Sequence, residues 1–168
     1  LDLADAEFNG KSYESAAASY RQFQKVDPKH DKIAFALFYE GLALHRAEYY
    51  SDAVQAWEKL VADYPRDPRA PEALMRLSKT KFDIGKFDEA VQGYEKFLKM
   101  YPKDAQAKDA RLQIGQSWYN AGDYPKAIDI YTRFLKQYPN DDQALLVTQL
   151  LQTCYYQAKM SPEEIEKL

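Results

Sequence analysis

The sequence predicts an all-α fold, an α-solenoid of antiparallel helix pairs, and three observations carry that prediction. First, the stretch GDYPKAIDIYTRFLKQYP (Gly122 to Pro139) is echoed by KSYESAAASYRQFQKVDP, EYYSDAVQAWEKLVADYP and GKFDEAVQGYEKFLKMYP. Second, five columns of that phrase recur every 37 residues. They are Ala16, Ala53, Ala90 and Ala127; Pro28, Pro65, Pro102 and Pro139; Tyr13, Tyr50, Phe87 and Tyr124; Tyr20, Trp57, Tyr94 and Tyr131; and Phe23, Leu60, Phe97 and Phe134. Third, the apolar columns within a unit fall at i, i+3, i+7 and i+10, as in Phe87, Ala90, Tyr94 and Phe97, which is one face of a helix. No segment alternates with a period of two, so no strand is expected. A short helix pair cannot bury its apolar face alone, so neighbouring pairs must stack.

Taken in order, the chain reads as one array over 1–168, with helix pairs at about 1–28, 29–65, 66–102 and 103–139 and a partial or capping repeat at 140–168. The second helix of each pair, helix B, ends near the proline, because the residue before a proline disfavours helical geometry. Pro125 opens one helix B, where a missing N–H does no harm. The first helix, helix A, is seen in LQIGQSWYNAG, where Leu112, Ile114, Gly115, Trp118 and Ala121 keep helical spacings until Gly122 stops it. Asp67, Asp104 and Asp141 stand two residues after the prolines, placed to satisfy free amides at the start of helix A. The alanine column is expected where helix A meets helix B too closely for a larger side chain. The large aromatic a turn later is expected to fill the gap between successive pairs.

Both ends depart from the pattern. LDLADAEF (Leu1 to Phe8) matches only the second half of a helix A. In SPEEIEKL, Ser161 and Glu164 have the spacing of a capping box, but Glu164 stands where the alanine column needs a small residue. The tail is therefore expected to be a polar capping helix or a truncated end. The missing methionine before Leu1 fits an excised or processed piece.

The composition narrows the function. Charged residues are 29% of the chain and hydrophobic ones 46%, as in a folded, soluble protein. The net charge of −3, from 23 basic and 26 acidic residues without a basic block, argues against nucleic acid as a partner. No apolar run approaches the roughly 20 residues of a membrane span, so direct membrane insertion is not expected. One cysteine, Cys154, allows no internal disulfide. It shares a small-residue column with Ala43, Thr80 and Ser117, which reads as packing. His30 and His45 share no ligand-like spacing with it, and the chain has no Gly-rich phosphate loop and no Gly-x-Ser-x-Gly turn. The expectation is a non-enzymatic protein with no cofactor and no metal.

The phrase Gly-x-Tyr/Phe-x-x-Ala-x-x-x-Tyr/Trp-x-x-Phe/Leu, closed by proline, resembles the tetratricopeptide repeat, whose usual period is 34 residues. The extra residues follow the proline, in YPRDPRAPEA, YPKDAQAKDA and YPNDDQALLV. That variant resembles the repeats of bacterial cell-envelope proteins, such as the periplasmic coordinator of the Tol–Pal system and the lipoprotein of the outer-membrane β-barrel assembly machine. The likeness covers about residues 10–160. It implies a right-handed solenoid, a scaffold that binds a partner protein or peptide in a concave groove, and a periplasmic or outer-membrane location. The alternative is a cytosolic adaptor or a regulatory domain of a longer protein.

The resemblance also implies that helix A lines the groove. The columns so chosen hold Phe38, Met75 and Leu112; Leu42, Lys79 and Gln116; and His45, Phe82, Tyr119 and Tyr156, flanked by Tyr39, Arg76, Arg46 and Asn120. Aromatics beside Arg, Gln and Asn suit a protein-recognition surface. Phe82, Tyr119 and Tyr156 have the same spacing whether they bind a partner or pack between helices. A carboxylate clamp of paired asparagines and lysines is not expected, since Asn120 stands alone.

Overall fold

The computed structural model describes residues 1–165. In chain order the helices are α1 (Asp2–Asn9), α2 (Tyr13–Val26), α3 (Ile33–Arg46), α4 (Tyr50–Asp63), α5 (Ala70–Asp83), α6 (Phe87–Met100), α7 (Ala107–Asn120), α8 (Tyr124–Gln137), α9 (Ala144–Gln157) and α10 (Pro162–Ile165). Each helix from α2 to α9 is 14 residues long, and no strand is found among the described residues. The fold is all-α with helix pairs repeating every 37 residues, as the sequence predicts. The chain divides into two compact units, Leu1–Ile84 and Gly85–Leu168. The division falls between the helices of the pair at 66–102.

The turns repeat as closely as the helices. The residue before each proline has nearly the same backbone state, with φ of −137° at Asp27, −131° at Tyr64, −129° at Tyr101 and −130° at Tyr138. Proline bars its predecessor from helical geometry, and helix B ends there. Asp67, Asp104 and Asp141 then each accept a hydrogen bond from the amide two residues on, at 2.9, 2.8 and 3.0 Å. This is a side chain mimicking a backbone turn. In the first turn His30 occupies the same column, and its Nδ1 accepts from the Lys32 amide at 3.0 Å. Lys108 reaches Asp141 at 2.9 Å and joins α7 to the turn before α9.

The A-to-B turns follow another rule. Lys11, Glu48, Gly85, Gly122 and Lys159 are spaced by the repeat, and all have positive φ, between 54° and 80°. In the turn after α7 the Asp123 amide bonds back to the Trp118 carbonyl at 2.9 Å, a Schellman closure, and Tyr49 does the same to Leu44. At Ser161 the capping box forms in both directions, Ser161 N to Glu164 Oε2 at 2.7 Å and Glu164 N to Ser161 Oγ at 3.3 Å. Glu166 to Leu168 of that tail lie outside the described residues.

In the first unit Ala16, Ala53, Tyr20, Trp57, Leu37, Leu60 and Leu74 are fully buried. In the second, Ala127, Ile128, Tyr131 and Phe134 of α8 pack with Val147 and Cys154 of α9. Cys154, Ala43, Thr80 and Ser117 are all buried, as their shared column predicts. The large aromatics meet helices on both sides. Tyr20 packs on Phe35 and Tyr39 of the next pair's helix A, at 6.4 and 6.0 Å, as the sequence predicts. Two of the column also rest on a small residue of their own pair's helix A. Trp57 lies over Gly41 and Tyr131 over Gly115. The Trp57 indole N–H also donates to the Phe38 carbonyl at 3.2 Å. With no side chain on the glycine, the ring rests against helix backbone, which the sequence signals only as a small residue.

Candidate functional site

Helix A presents its selected columns on one stripe, because residues three and four apart share a face. In the first unit that stripe lies on α3 and α5. Leu42, His45, Met75 and Phe82 are half-buried, whereas Arg46, Arg76 and Lys79 are exposed. Arg76 pairs with Glu72 at 2.7 Å and Lys79 with Asp83 at 3.0 Å, both one turn apart on α5. Exposed pairs of this kind contribute only tenths of a kcal/mol and are readily exchanged for a partner's charges. The Arg46 guanidinium has no hydrogen bond or ion pair among the described residues.

Charged side chains of α5 act on His45 of α3. Burial, and next the Arg76 charge, hold its proton affinity below the usual histidine value; Arg46 and Lys79 act the same way and Asp83 opposes them. Its ring is therefore neutral at pH 7, packed edge-on against Tyr50 at 5.2 Å and near Trp57 at 5.9 Å. The result is a half-buried apolar strip, Leu42, Met75 and Phe82, bordered by three cations.

Phe38 does not belong to that strip. It is 5% exposed, enclosed in the core of the first unit, with its carbonyl turned to Trp57. The stripe's spacing fixes its direction but not its width, and Phe38 falls on the edge that turns inward. Tyr39 is half-buried among rings: Phe35 at 4.4 Å, Phe38 at 5.5 Å, Phe8 at 5.7 Å and Tyr20 at 6.0 Å.

In the second unit Leu112, Gln116 and Tyr119 on α7 are half-buried and Asn120 is exposed, its amide donating to the Gln116 carbonyl at 2.8 Å. Leu112 and Tyr119 pack against the α8–α9 core. Tyr119 meets Tyr124 edge-on at 5.6 Å, the relation His45 has to Tyr50. Tyr156 on α9 is 81% exposed. Beside this stripe Lys126 sits over the Trp118 ring at 3.9 Å and pairs with Asp123 at 2.7 Å, holding the Asp123 carboxyl below its usual range.

Sequence reasoning left Phe8 out of the His45 column, although it meets Tyr13 with the same edge-on contact at 5.6 Å. Running the His45 column back by one repeat would have found it. Among the described residues no three His, Cys, Asp or Glu side chains are placed to hold a metal, and no helix is long and apolar enough to cross a membrane.

The profile of the family described as Tetratricopeptide repeat matches residues 1–71 and 75–142. The chain belongs to the tetratricopeptide repeat family. The crystal structure of MamA protein is similar, with a TM-score of 0.72 and 19% identity over 99% of this chain and 84% of that one. A putative kinesin light chain of Podosopora anserina with nearly identical TPR-like repeats follows at a TM-score of 0.70 and 14% identity, covering 98% of this chain and 88% of that one. At these identities the likeness shows the solenoid fold alone. No curated protein matches the chain. Tetratricopeptide folds serve as protein–protein interaction scaffolds and bind proteins or peptides, and such repeats are generally non-enzymatic.

Proposed function

We propose that this chain is a non-enzymatic scaffold that receives a partner protein or peptide on its helix-A face, within a bacterial cell-envelope complex. The carrying observation is the α3–α5 strip. Leu42, Met75 and Phe82 offer apolar contact, Arg46 has its donors uncommitted, and Arg76 and Lys79 are held only by exposed pairs. A segment with apolar side chains flanked by carboxylates fits that chemistry. The periplasmic assignment is supported by the repeat variant after each Tyr-Pro.

Site-specific photo-crosslinkers test the face. Placed at Leu42 and Met75 in the native cell, they should capture a common partner that crosslinkers at Glu58 and Gln92 on helices B do not. Charge reversal by Arg46→Glu should weaken that capture. Equal capture from both sets of positions sinks the reading. Release of the protein by osmotic shock would support the periplasmic assignment; fractionation with a cytosolic marker would favour the adaptor alternative.

A further inference from the structure

Positions 24 and 40 break the repeat together. Their equivalents are Val61 and Leu77, Leu98 and Ile114, and Leu135 and Leu151, all apolar, whereas the first pair has Gln24 and Glu40. Glu40 is nonetheless 5% exposed. Its Oε1 accepts from Arg21 Nε at 2.8 Å and its Oε2 from the Gln24 side-chain amide at 2.6 Å. Burying a carboxylate carries a desolvation cost that an apolar pair avoids, and the other repeats show that the fold accepts an apolar pair here. Stability does not account for this polar pair.

The pair opens onto a pocket of about 420 Å³ between α2 and α4, with Leu37 at its base and Arg21, Gln24, Glu40, Asp52 and Lys59 among its lining residues. Glu40 and Leu42 are two residues apart on α3, about 200° around a helix, so the pocket faces away from the Leu42 stripe. Glu40 holds the guanidinium by Nε alone. The terminal nitrogens of Arg21, the Lys59 ammonium and the Asp52 carboxylate make no hydrogen bond or ion pair among the described residues. The charges lining the pocket balance, Arg21 and Lys59 against Glu40 and Asp52, but the Glu40 oxygens are already occupied by Arg21 and Gln24, so what remains are the unused N–H donors of Arg21 and Lys59. A guanidinium fixed in orientation by a buried carboxylate is prepared to bind a second carboxylate through its remaining N–H groups. Asp52 would repel a dianion such as phosphate.

We propose that this pocket is a second docking site, which takes one carboxylate side chain of a partner protein between Arg21 and Lys59, its methylenes resting on Leu37. It does not depend on the helix-A reading.

The test is NMR titration of the full chain with acetyl-Ala-Glu-Ala-amide, its Gln and Lys counterparts, and inorganic phosphate, read at the Arg21 Nε–H and Gln24 side-chain resonances. The Glu peptide should shift both resonances saturably, and the Gln peptide should bind at least about tenfold more weakly. Arg21→Gln and Lys59→Gln, both at exposed positions, should each weaken the Glu peptide by about tenfold. The double variant Gln24→Val/Glu40→Leu restores the repeat's apolar pair. It should melt no lower than the parent yet lose the response; if it fails to fold, the two exposed variants decide. Equal shifts with the Gln, Lys or phosphate probes, no response to the Glu peptide, or an unchanged response in Arg21→Gln would each overturn the proposal.

Discussion

Tyr131 rests so closely on Gly115 that a methyl group built onto the glycine would stand 2.5 Å from the ring's Cε1. The ring is fully buried, so any shift must displace its packed neighbours. Alanine at a helical glycine gains about 1 kcal/mol of propensity, but overpacking costs about 1–3 kcal/mol. Gly115→Ala is therefore expected to lower stability by up to ~2 kcal/mol in urea unfolding. A midpoint at or above wild type would show that Tyr131 can step aside.

Glu48 adopts at φ 67° the turn that Gly122 adopts at φ 80°. A side chain in this region costs about 1–2 kcal/mol that glycine does not incur. Glu48→Gly should raise stability by roughly 1 kcal/mol and Gly122→Ala should lower it by a similar amount. Thermal melts showing the same sign for both would refute the account.

Two buried tyrosines of one column differ in their hydroxyls. Tyr20 donates to Asp5 Oδ1 at 2.6 Å, whereas the Tyr131 hydroxyl has no hydrogen-bond partner among the described residues. Tyr20→Phe should cost about 1 kcal/mol, and Tyr131→Phe should be neutral or stabilising. A larger loss at Tyr131 would mean that its hydroxyl is partnered after all.

The contrast between what could and could not be read in the sequence follows from how each feature is encoded. A 3.6-residue stripe repeated every 37 residues fixes helix type, pairing order and the buried alanines, because many positions agree. The positive φ of Lys11, Glu48 and Lys159 leaves no trace in their chemistry; only the glycines at 85 and 122 betray that column. Phe38 and Leu42 sit on one stripe, and only packing decides which turns inward. Gln24 with Glu40 could be found only by noticing two apolar columns that turn polar in the same repeat.

Tyr119 tests whether its ring serves mainly the fold. It is half-buried and in contact with Tyr124, so Tyr119→Ala should destabilise by about 1–2 kcal/mol, less than the roughly 3–5 kcal/mol of a core aromatic such as Tyr131→Ala. Once a partner is in hand, the same change should cost about 2 kcal/mol of affinity if the face binds. A loss of stability with unchanged affinity would confine Tyr119 to packing.

Cys154 gives a pH dependence. Burial raises its thiol from 9.0 to about 11. The unfolded chain therefore releases this proton first, so the contribution is intact below pH 9 and is lost as pH rises towards 11. Subtracting the stability curve of Cys154→Ala, which leaves the tyrosines in place, should isolate that decline. At pH 8 the thiol should resist a disulfide exchange reagent until the protein unfolds. Rapid labelling of the native state would show access that the structure denies.

The shared backbone state at residues 48, 85 and 122 has a consequence for how such a chain changes length. Removing residues 49–85, or copying them in tandem, joins points where the chain already has the same bend and the same neighbouring sequence pattern. No new turn has to be invented, because Glu48 or Gly85 can be followed by either downstream segment. Whole units can thus be removed or added with each junction keeping a turn already present in the chain.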